Sequence, residues 1–163
     1  MLLKQGYGVG GLFIDYGQAA AEHEALAVRR IADQLSIPLM KTSITGLPPF
    51  GPGELAGRNA FFVFTALLAT RGQPGLIAVG IHDGTPYYDC STRFVDSIGT
   101  LVAEHTDGKT SVIAPFLRWS KKDVVEYFRS TGLPFEMTYS CEAGATPPCG
   151  RCASCRDREA LGC

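Results

Sequence analysis

Four cysteines stand at Cys141, Cys149, Cys152 and Cys155, inside the run SCEAGATPPCGRCASC. Two-residue spacers turn successive sulfurs toward one point. Gly144, Pro147 and Pro148 supply the turn that brings the first cysteine back to the other three. Four thiolates at about 2.3 Å make the closed tetrahedral site that zinc takes when its role is structural. The alternatives are an iron–sulfur cluster, a disulfide pair and unconnected thiols. The spacing differs from ferredoxin runs, and nothing else in the chain looks secreted, so disulfides fit poorly. Cys90 and Cys163 have no partners at ligand spacing and are not expected to bind metal. A closed site of this kind organises the fold and leaves no position for a substrate.

A second set of polar residues follows the apolar runs. Asp15, Tyr16, Gly17 and Gln18 come after the first run. Gly80, His82, Asp83, Tyr87, Tyr88 and Asp89 come after the third, and Ser120, Lys121 and Lys122 open a helix beyond the fourth. Gly57, Arg58 and Asn59 open another helix, where a guanidinium and free backbone N–H groups suit an anion. In an open parallel sheet, ligands bind outside the carboxyl ends of the strands. Arg58 and Lys121 are therefore candidate phosphate ligands. Singly, Lys121 reads as a solvated helix start, His82 as a loop histidine and Asp15 as a turn residue. Together they read as one site.

The elements that must carry these residues are legible from periodicity. Apolar runs at 9–14, 38–42, 76–81 and 111–116 have strand length and no polar alternation, as in parallel strands covered on both faces. Between them, 18–35 carries Ala21, Ala25, Val28, Ala32 and Leu35 as one apolar stripe. Residues 58–71 are apolar nearly all round, which predicts a buried helix. Residues 92–105 carry Phe94, Val95, Ile98, Leu101 and Val102. The last predicted helix starts at Ser120 with Asp123 completing a capping box, and Gly132 and Pro134 stop it. The alternation predicts an α/β fold with a parallel sheet. The Pro/Gly-rich connection 46–57 is of the length that often covers a site. Gly6-Tyr7-Gly8-Val9-Gly10-Gly11 matches G-x-G-x-x-G by letter, but it precedes a strand and follows a helical end at residues 2–5. It reads as a helix stop and turn, not a dinucleotide loop.

The length, 163 residues, suits one domain, and 45% hydrophobic with 19% charged residues is an ordinary globular composition. A net charge of −1 gives no global reason to expect nucleic acid. No apolar run reaches membrane-span length, and the N-terminus has no signal-peptide pattern, so the expected location is the cytoplasm.

At FIDYGQ, GRNAFF, YYDCSTRF, APFLRWSKKDVV and the terminal SC…PCGRCASC, the chain resembles the 7-cyano-7-deazaguanine synthases, which belong to the adenine-nucleotide α-hydrolase-like ATP pyrophosphatases. The resemblance covers nearly the whole chain. It implies a Rossmann-like parallel sheet of five strands in the order 3-2-1-4-5, a bound zinc, and ATP, with Mg2+, as co-substrate. The implied reaction converts 7-carboxy-7-deazaguanine and ammonia to 7-cyano-7-deazaguanine, the nitrile used in queuosine and related deazapurine pathways. By position, Asp15, Tyr16, Gln18, Asn59 and Gly80 would surround the nucleotide. Arg58 and Lys121 would meet phosphates or developing charge as catalytic groups. His82, Asp83, Tyr88 and Asp89 would line the deazapurine side, and Cys141, Cys149, Cys152 and Cys155 would hold the zinc.

The sequence departs from the family at two places. The pyrophosphate loop S-G-G-x-D-S is not in it, and Tyr87-Tyr88-Asp89-Cys90-Ser91 stands where relatives read closer to Y-P-D-C-R. On the resemblance, residues 1–136 form a nucleotide-binding α/β domain without its first central strand, and residues 137–163 the zinc-binding segment. Removing a central strand leaves its neighbours about 9–10 Å apart with open edges. A longer parent chain, a second chain filling the gap (a homodimer among the forms), or a rearranged sheet would each answer that. The chain alone is then expected to bind nucleotide weakly without turning it over. Other readings keep the pyrophosphatase chemistry on a tRNA base or a phage-defence acceptor, or make the protein a zinc-stabilised binding module without catalysis.

Overall fold

A computed structural model describes residues 1–47, 50, 53, 55–82 and 84–163. The chain divides into two compact units. One comprises Met1–Gly53 with Gly132–Cys163, the other Glu54–Thr131. Much of the predicted connection 46–57, and Asp83, lie outside the described residues.

In the first unit, a 3-10 helix at Leu2–Gln5 ends at Gly6, whose φ of 85° is the left-handed stop predicted for the glycine run. Strand β1 (Gly11–Asp15) pairs in parallel with β2 (Leu39–Ser43), Gly11 opposite Leu39 and Asp15 opposite Ser43. Phe13 and Ile14 are buried, as are Ala20, Ala27 and Ala32 on and just before α1 (Ala21–Leu35). The predicted stripe is buried at Ala32, but Leu35 is exposed at the last turn. Helix α1 starts three residues later than its pattern suggests because Gln18 is committed to the preceding turn. Its amide accepts from the Tyr16 N–H at 3.0 Å and donates to the Ile14 carbonyl at 3.3 Å and the Glu24 carboxylate at 2.9 Å.

In the second unit, β3 (Gly75–Ala78) pairs in parallel with β4 (Thr110–Ile113). Val63 of α2 (Arg58–Ala69), Ile77, Ile81, and Phe94, Ile98 and Val102 of α3 (Thr92–His105) form the core. The four-residue spacing along α3 stacks its three core side chains on one face. Ser91 caps α3 by accepting the Phe94 N–H at 3.2 Å. Helix α2 is not buried all round as predicted: Asn59 and Val63 are buried, while Leu68 is 79% exposed. It packs against β3 and α3, with Ala60, Phe64, Ala66 and Leu67 partly buried against the core.

Among the described residues the strands form two separate two-stranded sheets, β1-β2 and β3-β4. Both pairings are parallel, as the alternation predicts. Burial is lighter than predicted: β3 buries only Ile77 and β2 buries no residue, so the expectation of strands covered on both faces fails. Local pattern identifies a strand but not how many layers cover it.

Helix α4 (Lys121–Ser130) begins with the predicted capping box. Asp123 accepts from the Ser120 N–H at 2.8 Å and hydroxyl at 2.7 Å, and Ser120 Oγ accepts the Asp123 N–H at 3.2 Å. Those bonds, the hydroxyl's first, hold the Asp123 carboxyl below its ordinary 3.8. A lowered native pKa stabilises the fold above the unfolded value and loses that contribution as pH falls through the native one. Asp123→Asn is therefore expected to flatten the acid limb of a pH-dependent melting series below about pH 4, and an unchanged limb would contradict the assignment. A last helix, α5 (Ala153–Leu161), closes the chain. No helix among the described residues is long and apolar enough to cross a membrane.

Candidate metal centre and candidate active site

The four predicted ligands come together. One sulfur from each of Cys141, Cys149, Cys152 and Cys155 lies within 4.8 Å of all the others, and Cys149 Sγ and Cys155 Sγ are 4.0 Å apart. A tetrahedron with bonds of about 2.3 Å has edges of about 3.8 Å, so the quartet fits such an ion with little contraction. None of the six cysteines is in a disulfide, and Cys90 and Cys163 stand outside the quartet.

Backbone donors shape the cluster. The Cys149 N–H points at Cys141 Sγ (3.3 Å), Cys152 N–H at Cys149 Sγ (3.4 Å), and Cys155 N–H at Cys152 Sγ (3.4 Å). Such donors favour thiolates. The N–H groups of Cys149 and Ala145 bring the Cys141 thiol down to about 5, although that side chain is 1% exposed. Burial works against Cys152, yet the Glu142 and Cys155 N–H groups hold it below its ordinary value. Cys155 goes the other way, pushed up to about 12 by burial and by its neighbouring thiols. Charge settles where N–H groups converge and is opposed by burial and by the next sulfur, and a divalent cation between the thiolates would offset that repulsion.

The cluster is tied to the rest of its unit by packing. His23 of α1 stacks on Tyr139 with ring centroids 4.6 Å apart, and its Nε2 is 3.0 Å from Thr146 Oγ1. Tyr139 donates to the Ala145 carbonyl at 2.8 Å. Its phenol is pushed up to about 12, by burial first and then by the Cys141 sulfur. Gly144, at φ 63°, lies so close to Ala19 that a Cβ there would run into the Ala19 carbonyl. Arg158 of α5 donates to Thr138 Oγ1 at 2.8 Å and to the Phe135 carbonyl at 3.3 Å. Beside the cluster, Thr138, Ser140, Arg158 and Glu159 help to line a cleft of about 560 Å³. None of His23, Tyr139 and Arg158 was foreseen, because ring stacking and side-chain-to-backbone ties leave no periodic signature.

The predicted nucleotide and substrate residues are divided between the two units. In the first unit, Asp15, Tyr16 and Gln18 form one turn at the carboxyl end of β1. Asp15 Oδ1 accepts the Gly17 N–H at 3.2 Å and its other oxygen is 3.9 Å from Lys41, while Tyr16 meets Phe50 edge-on at 5.6 Å. In the second unit, Gly80 and His82 follow β3, and Lys121 is the first residue of α4.

Arg58 opens α2 behind Gly57, its guanidinium 6.0 Å from the Phe62 ring centre and its Nε buried without a hydrogen-bond partner. Asn59 and Asp89, each 7% exposed, face each other. Asp89 Oδ2 accepts the Asn59 N–H at 3.3 Å, and Asn59 Nδ2 donates to the Asp89 carbonyl at 3.0 Å. The carboxylate thereby stands in for the side-chain cap that α2 lacks. Tyr88 is exposed and meets Phe94 edge-on at 5.9 Å, with Arg93 over its ring at 6.0 Å.

The family model described as "Queuosine biosynthesis protein QueC" matches residues 52–161. The 7-cyano-7-deazaguanine synthase of Sulfurihydrogenibium sp. (strain YO3AOP1) is 40% identical over 110 residues, covering 63% of this chain and 50% of that protein. The chain thus spans about half the length of that relative in the match. The synthase of Synechococcus sp. (strain CC9605) is 32% identical over 191 residues, covering 98% of this chain and 84% of that protein. That of Methanothermobacter thermautotrophicus is 29% identical over 189 residues, covering 96% and 84%. The family match contains Arg58, Gly80, His82, Tyr88, Asp89, Lys121 and all four clustered cysteines, and with it the chain belongs to the QueC family of queuosine biosynthesis proteins.

Proposed function

We propose that this protein serves the ATP-driven conversion of 7-carboxy-7-deazaguanine and ammonia to 7-cyano-7-deazaguanine, with zinc as a structural ion in the cysteine quartet. In this chemistry the substrate carboxylate attacks the α-phosphorus of ATP, releasing pyrophosphate and leaving an acyl-adenylate. Ammonia displaces AMP to give the amide. A second ATP activates the amide oxygen, and loss of AMP and a proton leaves the nitrile. The family membership of residues 52–161 carries the reading.

The residues take roles by position and chemistry. Arg58 brings a guanidinium with a buried, unpartnered Nε–H to the start of α2, a group suited to phosphate or to charge developing on it. Lys121 adds a cation at the start of α4, where the N–H groups also favour an anion. The turn of Asp15, Tyr16 and Gln18 and the backbone at Gly80 border the nucleotide, and Asn59 is held for the same purpose by Asp89. His82, Asp83, Tyr88 and Asp89 face the deazapurine, Tyr88 by its exposed ring. The zinc, held by Cys141, Cys149, Cys152 and Cys155, supplies folding energy and no reaction step, because four protein ligands close its coordination. Residues 137–163 are its segment, the nucleotide chemistry belongs to residues 1–136, and the setting is cytoplasmic.

Two proteins test this: the 163-residue chain, and the same chain preceded by a strand, an S-G-G-x-D-S loop and a half-helix. Weak AMP and ATP binding is expected in both. Pyrophosphate release and nitrile, read by mass spectrometry, are expected in the extended protein, and Lys121→Ala should slow them at least about 100-fold. Nucleotide binding with no turnover in either would favour a binding module. Turnover that ignores the deazapurine would assign another acceptor.

A further inference from the structure

Glu142 directly follows the first cysteine of the quartet, and Ser154 sits between the last two. The Glu142 carboxylate accepts both the Ser154 N–H, at 3.1 Å, and the Ser154 hydroxyl, at 2.9 Å, on one oxygen, Oε1. Glu142 therefore reaches the Cys152–Cys155 segment through its side chain. Ser154 occupies the second position of α5, behind Cys152 as cap. Its N–H is among the first four of the helix, which have no partner within it, and a carboxylate is the favoured acceptor at that end.

Cys141 is the ligand that needs such a tie. Seven residues separate it from Cys149, so its arm is the longest in the quartet. The three other cysteines sit two residues apart and organise one another through short N–H···S turns. We propose that Glu142 is a positioning residue of the metal centre, a latch that fastens the Cys141 arm to the start of α5 through Ser154. The latch orders the site before metal arrives and slows departure of the metal afterwards. The inference rests on the quartet holding zinc, and goes beyond it by assigning a role to two residues that are not ligands.

The test is zinc content by elemental analysis, followed by zinc release from the folded protein into an excess of colorimetric chelator. Outer-shell changes of this kind cost about 10–100-fold in metal affinity. Glu142→Ala is expected to release zinc about 10–100-fold faster than the unaltered chain. Glu142→Gln keeps an oxygen that can accept both bonds and should stay within about threefold. Ser154→Ala, which keeps its N–H, should fall between, and the double variant Glu142→Ala with Ser154→Ala should be no faster than Glu142→Ala alone. Wild-type release rates in Glu142→Ala, or Glu142→Gln as fast as Glu142→Ala, would overturn the latch. An unaltered chain without zinc sinks the metal reading itself, and the content measurement separates that result from a failed latch.

Discussion

Elemental analysis of the purified, freshly reduced protein is expected to return one zinc per chain, and of Cys152→Ala essentially none. Cys152 is both a ligand candidate and the cap of α5, so its loss removes a metal bond and frees the start of that helix together. Structural zinc in small sites is worth about 10–16 kcal/mol of apparent binding energy that becomes folding energy. The C-terminal segment should then loosen, seen as faster amide exchange through residues 141–161 while the core around Val63 and Val102 keeps its protection. Cys90→Ala and Cys163→Ala should keep full zinc content, since neither belongs to the quartet. Iron in place of zinc, or zinc retained by Cys152→Ala, would refute the site.

The second large effect belongs to a glycine. Gly144 and Gly150 have nearly the same backbone, at φ 63° and 66°, and so share the cost of a left-handed conformation. That cost is about 1 kcal/mol for a residue with a Cβ. They differ in their neighbours: a Cβ on Gly150 meets nothing within 4 Å, whereas one on Gly144 meets the carbonyl of Ala19, backbone that cannot step aside. Gly150→Ala is expected to cost about 1 kcal/mol and Gly144→Ala about 3 kcal/mol or more once overpacking is added. Equal melting temperatures for the two variants would show that the contact with Ala19 is not made.

Much of the architecture was written in local pattern. Thr92–His105 emerges with the bounds its apolar spacing predicts, and the Ser120–Asp123 box forms as read. The quartet was legible because ligand spacing is itself local. Helix α5 was not, since ASCRDREAL has no apolar stripe and buries only Cys155. It is held by cysteine packing and by Arg158, which no periodicity registers. The Asn59–Asp89 contact spans 30 residues and joins an uncapped helix to a distant carboxylate, a pairing that no local pattern registers. Leu68 misled because an all-apolar helix signals burial without saying on how many sides.

The division of the chain bears on the cost of closing it. One unit uses a continuous stretch, Glu54–Thr131, while the other joins segments from both sides of it. The contact between His23 and Thr146 closes a span of 123 residues. For an unstructured loop that long, closure costs about 4 kcal/mol of chain entropy. Folding the intervening stretch first would shorten the effective loop and lower that cost. All four ligand candidates lie within residues 141–155, so an ion held there would brace the Thr146 end of a closure whose other end, at His23, it would not touch.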